Sequence, residues 1–377
     1  MSGFSWARTW AVLLKEFTQM RRDRITFAMM LVFPVIQLLL FGYAINSDPK
    51  HLPTAVFVQD DSAFSRSFLK AMTNSLYFDI TGVARSSREL DRMMAEGKAI
   101  LTVTIPADFT HRVVRGEDPQ ILVEADASDP TATSGGIAVL ASLPTTALEH
   151  DVAGAALPAP PGQPPFQVIV HRRYNPEGLT AYNIVPGLLG VVLSLTLVMM
   201  TALGVTREVE RGTMEALLAT PVRPVEVMIG KLAPYVLVGV VQTAVILTLA
   251  RGLFDVPMQG GWAALGVGVF LFIIGSLALG FLISTVASNQ RQAMQLSFFY
   301  IMPSILLSGF MFPFSGMPGW ARVLGSAIPV THFLRVVRGA LLKGHGFSEM
   351  WPSLAALALF TLAVSTLAVV RYRTTLD

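Results

Sequence analysis

Cysteine is absent from the 377 residues, and charge is scarce: Asp, Glu, Lys and Arg together make up 14% of the chain. The first absence removes disulfides, thiolate metal sites and cysteine nucleophiles. The second excludes an ordinary water-soluble domain, which carries about 25% charged residues. Catalytic signatures are missing too. The chain has no HExxH, no G-x-S-x-G, no Walker A loop, and no GxGxxG followed by an acidic residue at the right distance. His51, His111, His150 and His171 are scattered. His150 lies between Glu149 and Asp151, but a single cluster without ligand spacing reads as a solvated helix face rather than a metal site.

What is plentiful is apolar surface: 53% of residues are hydrophobic and the mean hydropathy is +0.56. Six stretches contain no Asp, Glu, Lys or Arg: 25–45, 178–206, 232–250, 256–290, 292–321 and 350–370. A membrane crossing needs roughly 20 apolar residues at about 1.5 Å of rise each, so six spans are expected. The fourth and fifth stretches exceed one crossing, and their surplus is expected to be interfacial or re-entrant. Pro34, Pro186, Pro234 and Pro303 are placed to bend spans, which neighbouring helices tolerate. Residues 1–24 are not a cleavable signal, because the run that follows is too long. Trp6, Trp10, Leu13, Leu14 and Phe17 recur at helical spacing beside Arg8, Lys15, Arg21, Arg22 and Arg24, as in an amphipathic helix on the membrane surface. A plain basic flank explains the same residues nearly as well.

Charge gives an orientation. With a cytoplasmic N-terminus, the inner segments hold Arg8, Lys15, Arg21, Arg22, Arg24, Arg207, Arg211, Arg223, Lys231, Arg291, Arg371 and Arg373. The short outer segments hold Arg251, Arg322, Arg335, Arg338 and Lys343. Twelve against five favours N- and C-termini in the cytoplasm. The segment 46–177 is left out of that count, since long loops cross regardless of charge. It holds 11 basic and 16 acidic residues. The net charge of +3 therefore combines an acidic outer domain with a basic inner face, and no nucleic-acid partner is implied. Four cations of the last outer segment, Arg322, Arg335, Arg338 and Lys343, sit in 320–344. That segment reads as one or two short amphipathic helices with Phe333, Val336, Val337 and Leu341 on the apolar side. The structural reading is that the cations snorkel to headgroups; the functional alternative is an anionic substrate or lipid.

Segment 46–177 alternates strands and helices. Strands are predicted at 54–59, 77–83, 99–105, 120–126 and 167–174. Helices are predicted at 62–74, at 86–96 capped by Ser86 or Ser87, from Pro106, and over 130–151, where Pro144 marks the natural break. The Pro-rich 157–166 is a stiff linker or loop. The alternation describes an α/β layer domain of about 120 residues. The predicted fold class is thus a mainly α polytopic membrane protein, with a mixed α/β periplasmic domain inserted between its first and second spans.

Between the second and third spans lies a charged segment: Arg207, Glu208, Val209, Glu210, Arg211, Gly212, Thr213, Met214, Glu215, Ala216, Leu217, Leu218, Ala219, Thr220 and Pro221. Thr206 is placed to cap a helix starting at Arg207. Glu208 and Arg211, and Arg211 and Glu215, have pairing spacing. Met214, Leu217 and Leu218 form an apolar knob, and Thr220-Pro221 with Pro224 stops the helix. Helices resting on lipid favour Lys and Arg with few acids. Glu208, Glu210 and Glu215 point instead to a groove on a protein partner.

This segment, continuing to Gly230-Lys231-Leu232-Ala233-Pro234-Tyr235, resembles the type-2 permeases of bacterial ABC exporters, in the drug-efflux branch with one large periplasmic domain. Supporting matches are Phe41-Gly42-Tyr43-Ala44-Ile45-Asn46, Ile105-Pro106-Ala107-Asp108-Phe109, Asn183-Ile184-Val185-Pro186-Gly187 and Leu307-Ser308-Gly309-Phe310-Met311-Phe312-Pro313. The resemblance implies that 206–221 is a coupling helix docked on a separate ATPase subunit. It further implies two permease chains per transporter, identical or not, and re-entrant outer helices near 313–344. On this reading the chain is no enzyme and binds no cofactor, ATP and Mg belong to the partner, and the bacterial inner membrane is its location. Substrates would be amphipathic, drug-like or lipid-like; a periplasmic adaptor is a further partner to consider. Two other classes fit the sequence less well. A secondary transporter should show buried acids and inverted repeats, and neither is visible. A membrane-anchored sensor or assembly platform would use the outer domain but leaves the coupling-like segment without a role. Glycans, lipids and ions remain as alternative cargo.

Overall fold

The structure is a computed structural model that describes residues 49–148, 164–211 and 224–371, the side chains of 224–231 excepted. Its first part is the expected α/β domain: β1 (Leu52–Val58), α1 (Ala63–Asn74), β2 (Phe78–Val83), α2 (Ser87–Ala95), β3 (Leu101–Ile105), α3 (Phe109–Arg115), β4 (Gln120–Asp126), α4 (Pro130–Thr146) and β5 (Gln167–Arg173). The sheet runs β2-β1-β3-β4-β5. β1 is parallel to β2 and β3, β4 turns antiparallel to β3, and β5 is parallel to β4. The parallel pairs need crossovers, and α1, α2 and α4 supply them.

Local chemistry explains most boundaries. Ser62 accepts the Ser65 backbone N–H at 3.2 Å and starts α1. Ser86 accepts from Glu89 N–H at 3.3 Å while Glu89 accepts from Arg85 N–H at 2.7 Å, a capping box shifted by one residue. One start differs from expectation: α3 begins at Phe109, not at Pro106. Asp60 reaches across from the β1–α1 loop and takes the N–H (2.8 Å) and hydroxyl (2.5 Å) of Thr110, so the cap comes from another segment. Helix α4 continues through Pro144 without a break. Its expected continuation beyond 148, with Glu149, His150 and Asp151, lies outside the described residues. Phe68, Phe109 and Phe166 fill the core, packed edge to face at centroid distances of 5.5 and 5.6 Å.

The second part is helical: α5 (Thr180–Glu210), α6 (Pro224–Phe254), α7 (Trp262–Ser284), α8 (Gln290–Leu307), a 3-10 turn Phe314–Gly316, α9 (Gly319–Ser326), α10 (Pro329–Arg338), a π turn Gly339–Lys343, and α11 (Phe347–Arg371). Among the described residues four helices are long and apolar enough to cross a membrane: α5, α6 from Leu232, α7 and α11. The expected first span, 25–45, and the amphipathic 1–24 lie outside the described residues. The stretch 292–321, longer than one crossing, is not one element, and its helix α8 is not among those four. It divides into the 18-residue α8, a turn at Gly309 with φ +82°, the 3-10 turn and α9. Helix α8 opens on Gln290, Arg291 and Gln292, which lowers its apolar share.

In lipid, helices gain little from burying apolar faces against one another, so close approach at small residues and interhelical hydrogen bonds carry the packing. Gly280 of α7 lets α5 come so near that a Cβ there would lie 2.5 Å from the Val198 carbonyl oxygen. Gly187 and Gly190 of α5 make the same kind of room for Phe310 and Phe333. Thr196 of α5 donates to Gln242 of α6 at 2.9 Å, and Thr361 of α11 donates to the Leu271 carbonyl of α7 at 3.0 Å. Helix α10 is wedged into the bundle, its Phe333 stacked on Phe272 of α7 at 4.1 Å and 6°. Phe333, Val336, Val337 and Leu341, expected as the apolar side of this region, are all buried.

Candidate functional sites at the two ends of the bundle

The charged end of α5 comes first. The sequence suggests a new helix from Arg207 capped by Thr206, and here the structure differs. Helix α5 runs unbroken from Thr180 to Glu210, and Thr206 is fully buried inside it rather than at a cap. Arg207, Glu208, Val209 and Glu210 are the final turn of the span, with Arg211 closing it through a 3.1 Å N–H bond to the Arg207 carbonyl. Arg207, Glu210 and Arg211 are exposed. Gly212, Thr213, Met214, Glu215, Leu217, Leu218, Thr220 and Pro221 lie outside the described residues. The chain resumes as α6 at Pro224.

Glu210 has a task that sequence alone did not reveal. Its Oε1 accepts the Gln290 backbone N–H at 2.8 Å and its Oε2 accepts the Gln290 side-chain amide at 2.5 Å. The carboxylate thus satisfies one of the orphan donors at the start of α8, where negative charge is also favoured by the helix dipole. Asn289 satisfies a second, accepting from Gln292 N–H at 2.9 Å. The end of α5 and the start of α8 are thereby tied together at this face of the bundle.

The opposite end joins the bundle to the α/β domain, and there the basic cluster divides. Arg322 stays exposed, and the exposed Arg335 lies over the Phe314 ring at 5.0 Å. Arg338 and Lys343 do not snorkel. Each keeps 14% of its side-chain exposure and meets an acid of the α/β domain. Lys343 is hydrogen-bonded to Asp126, the last residue of β4, and lies 5.3 Å over the Tyr174 ring. Arg338 donates to the Asn183 side-chain oxygen and, at 3.2 Å, to the Gly309 carbonyl, and its guanidinium is 3.8 Å from Asp129. Asn183 in turn donates to Asp129 at 3.4 Å. Burial by itself would push the Asp126 carboxyl up; the Lys343 ammonium and the Ser128 hydrogen bonds outweigh it and hold the group below its ordinary value. Asp126, Asp129 and Asn183 carry no local signal in the sequence. Asp126 and Lys343 are 217 residues apart, and only the fold brings them together.

Beside this junction a cavity of about 420 Å³ opens between α2 and the end of β5, lined by Asp91, His171, Arg172, Arg173 and Tyr174 among others. Arg173 there is bonded to Asp91 and lies 3.2 Å from Glu124; those acids hold its charge against burial. Among the described residues no three His, Asp or Glu side chains converge to hold a metal ion.

A bundle with four helices long and apolar enough to cross a membrane, joined to an α/β domain, is the architecture of an integral membrane protein. Its family follows from comparison: residues 24–370 match the ABC-2 family transporter protein, and the chain belongs to that family, the membrane permeases of ABC transporters. It is similar to the probable multidrug ABC transporter permease YbhS of Escherichia coli (strain K12), 30% identical over 346 residues and 90% of each chain. It is also similar to the probable multidrug ABC transporter permease YbhR of the same organism, 25% identical over 366 residues, 97% of this chain and 98% of that one. ABC transporter G family member 20 of Dictyostelium discoideum is 23% identical over 352 residues, which cover 90% of this chain but 47% of the relative.

Proposed function

We infer that the chain is the permease of an ATP-driven exporter, moving amphipathic, drug-like or lipid-like molecules out of the cell. The observation that carries this reading is the continuity of α5 from the α/β domain to Glu210, directly before the acidic and apolar segment that suits a protein groove. The lack of any phosphate-cradling loop in the sequence fits a division of labour in which ATP and Mg sit on a separate ATPase subunit. Arg207, Glu208, Glu210 and Arg211 would form the root of the ATPase contact, with Met214, Leu217 and Leu218 as its knob. The excess of basic residues on one set of loops orients the chain in a bacterial inner membrane, with the α/β domain periplasmic and both termini cytoplasmic. A second permease chain, the same or a similar one, would complete the pathway, and the acidic α/β domain would face a periplasmic adaptor. The multidrug names of YbhS and YbhR support a drug-like substrate.

Co-purification of the chain from its native cells tests the reading, with bound ATPase subunits read by ATP hydrolysis. The unaltered permease should retain the ATPase, and Glu208→Ala with Leu217→Ala should release it. Retention by the double variant would remove the coupling segment from its role.

A further inference from the structure

The junction between the α/β domain and the bundle is built in an unusual way for a surface contact. Two acids come down from the domain: Asp126 from the end of β4 and Asp129 from the residue before α4. Two cations come up from the bundle: Arg338 from the last turn of α10 and Lys343 from the π turn. All four side chains keep between 10% and 16% of their exposure. Asn183, in the first turns of α5, bridges the two sides by accepting from Arg338 and donating to Asp129. The Gly309 carbonyl, just past α8, takes another Arg338 donor. Thr131 adds a 2.6 Å bond to Asp129, and Ser128 N–H a 3.1 Å bond to Asp126. The cluster is neutral as a whole and draws on β4, α4, α5, α10 and the turn after α8.

The energetics of such a cluster are close to all-or-none. A buried ion that loses its partner costs several kcal/mol, whereas replacing both partners by apolar groups is often neutral. Lifting the domain away by a few ångströms would leave two acids and two cations half-buried and unpaired, so the contact resists gradual loosening. Helix α5 then matters for a second reason. It carries Asn183 at this end and Glu210 at the other, 27 positions apart in one helix, about 40 Å at 1.5 Å per residue. A displacement of the Glu210 end has a direct path to the charge cluster.

We propose that the Asp126–Lys343 and Asp129–Arg338–Asn183 contacts form a strut that locks the α/β domain to α5 and α10, so that the domain is carried as one body with the ends of those helices when the bundle changes state. The proposal rests on the exporter reading for what drives the movement, and not for the lock itself.

The absence of cysteine makes the test direct. Spin labels at Arg88→Cys on α2 and Arg322→Cys on α9, both exposed positions, report the domain-to-bundle distance by double electron–electron resonance on the full chain in lipid nanodiscs. With the labelled chain diluted into excess unlabelled chain, so that distances within one chain dominate, the otherwise unaltered protein should give one narrow distance. Removing both pairs at once, by Asp126→Leu with Lys343→Met and Asp129→Leu with Arg338→Met, leaves no orphaned charge, so the protein stays folded while its distribution broadens. The exchange Asp126→Lys with Lys343→Asp should keep it narrow. A single narrow distance in the quadruple variant overturns the lock. A second arm measures export in cells together with ATP hydrolysis. Strut variants should lose export about tenfold, the size of an ordinary coupling between sites, while hydrolysis continues. Unchanged export beside a broadened distribution overturns the transmission. If instead no ATPase associates with the unaltered chain, the exporter reading fails and the distance result still stands.

Discussion

Gly280 on α7 offers the sharpest check on the packing of the bundle. A Cβ placed there would meet the Val198 carbonyl oxygen at 2.5 Å and the Thr201 Cβ at 2.8 Å, both on α5. The nearer obstacle is backbone, so no rotamer change relieves it. Ordinary C–H···O contacts lie at about 3.3–3.6 Å, so Gly280→Ala must push α5 and α7 apart by roughly 1 Å. Overpacking of this kind costs about 1–3 kcal/mol, and the better helix propensity of alanine returns at most about 1 kcal/mol. The control is Gly266, on the same helix with nothing within 4 Å of its Cβ position. Gly266→Ala feels the propensity alone and should be neutral or stabilising by up to about 1 kcal/mol. Thermal unfolding of the two variants in one detergent should therefore move the melting temperature in opposite directions, or leave Gly266→Ala unchanged while Gly280→Ala falls. If Gly280→Ala melts at or above the unaltered protein, the close α5–α7 approach is wrong. Gly187→Ala should fall between them, since the atoms it meets, at 2.1 Å, belong to the Phe310 ring, which can turn away.

Three further outcomes are expected. Glu210→Ala should speed hydrogen exchange at the Gln290 amide, and Glu210→Gln, which keeps one acceptor, should speed it less; equal exchange in all three proteins would dismiss the tie between α5 and α8. Asp60→Ala should destabilise the α/β domain by about 1 kcal/mol, read by chemical unfolding, with the N-terminus of α3 the first to exchange. The lowered carboxyl of Asp126 also sets a pH dependence. A depressed folded value means the Asp126–Lys343 contact adds stability above the ordinary value of 3.8 and loses it as pH falls through the lower folded value. Melting curves should therefore show no loss from this pair between neutral pH and about 5, and a progressive loss below that. The acid-side loss should shrink in the protein carrying Asp126→Leu with Lys343→Met, and an identical loss in both would remove the pair from the junction.

The sequence was legible where one segment decides its own structure. The strand at 120–126 is read to the residue, and the Ser86 cap of α2 rests on neighbours three residues away. The misreadings have a common physical form. Thr206 next to Arg207 resembles a helix start because polarity changes there, but polarity does not break a backbone. Arg, Glu and Val all continue a helix without large cost, and nothing at Thr206 or Arg207 stops α5. Pro106 suits a first helical turn, yet the cap that sets α3 comes from Asp60, far away in the chain. The basic group 322–343 looked uniform in the sequence. Burial separates it, because among the described residues only Arg338 and Lys343 have acids waiting across the fold.

The π turn at Gly339–Lys343 adds a last point. Residues five apart on an α-helix lie about 140° apart around the axis, so Arg338 and Lys343 would face different directions. An i→i+5 turn brings the fifth residue back over the first, and here the Gly344 N–H reaches the Gly339 carbonyl. Chain length at this point is thus an angular setting. Removing any one residue from the turn would leave composition and hydropathy almost untouched, yet swing Lys343 away from Asp126. Among relatives, a one-residue gap within 339–343 would say more about whether the α/β domain is anchored than any substitution nearby.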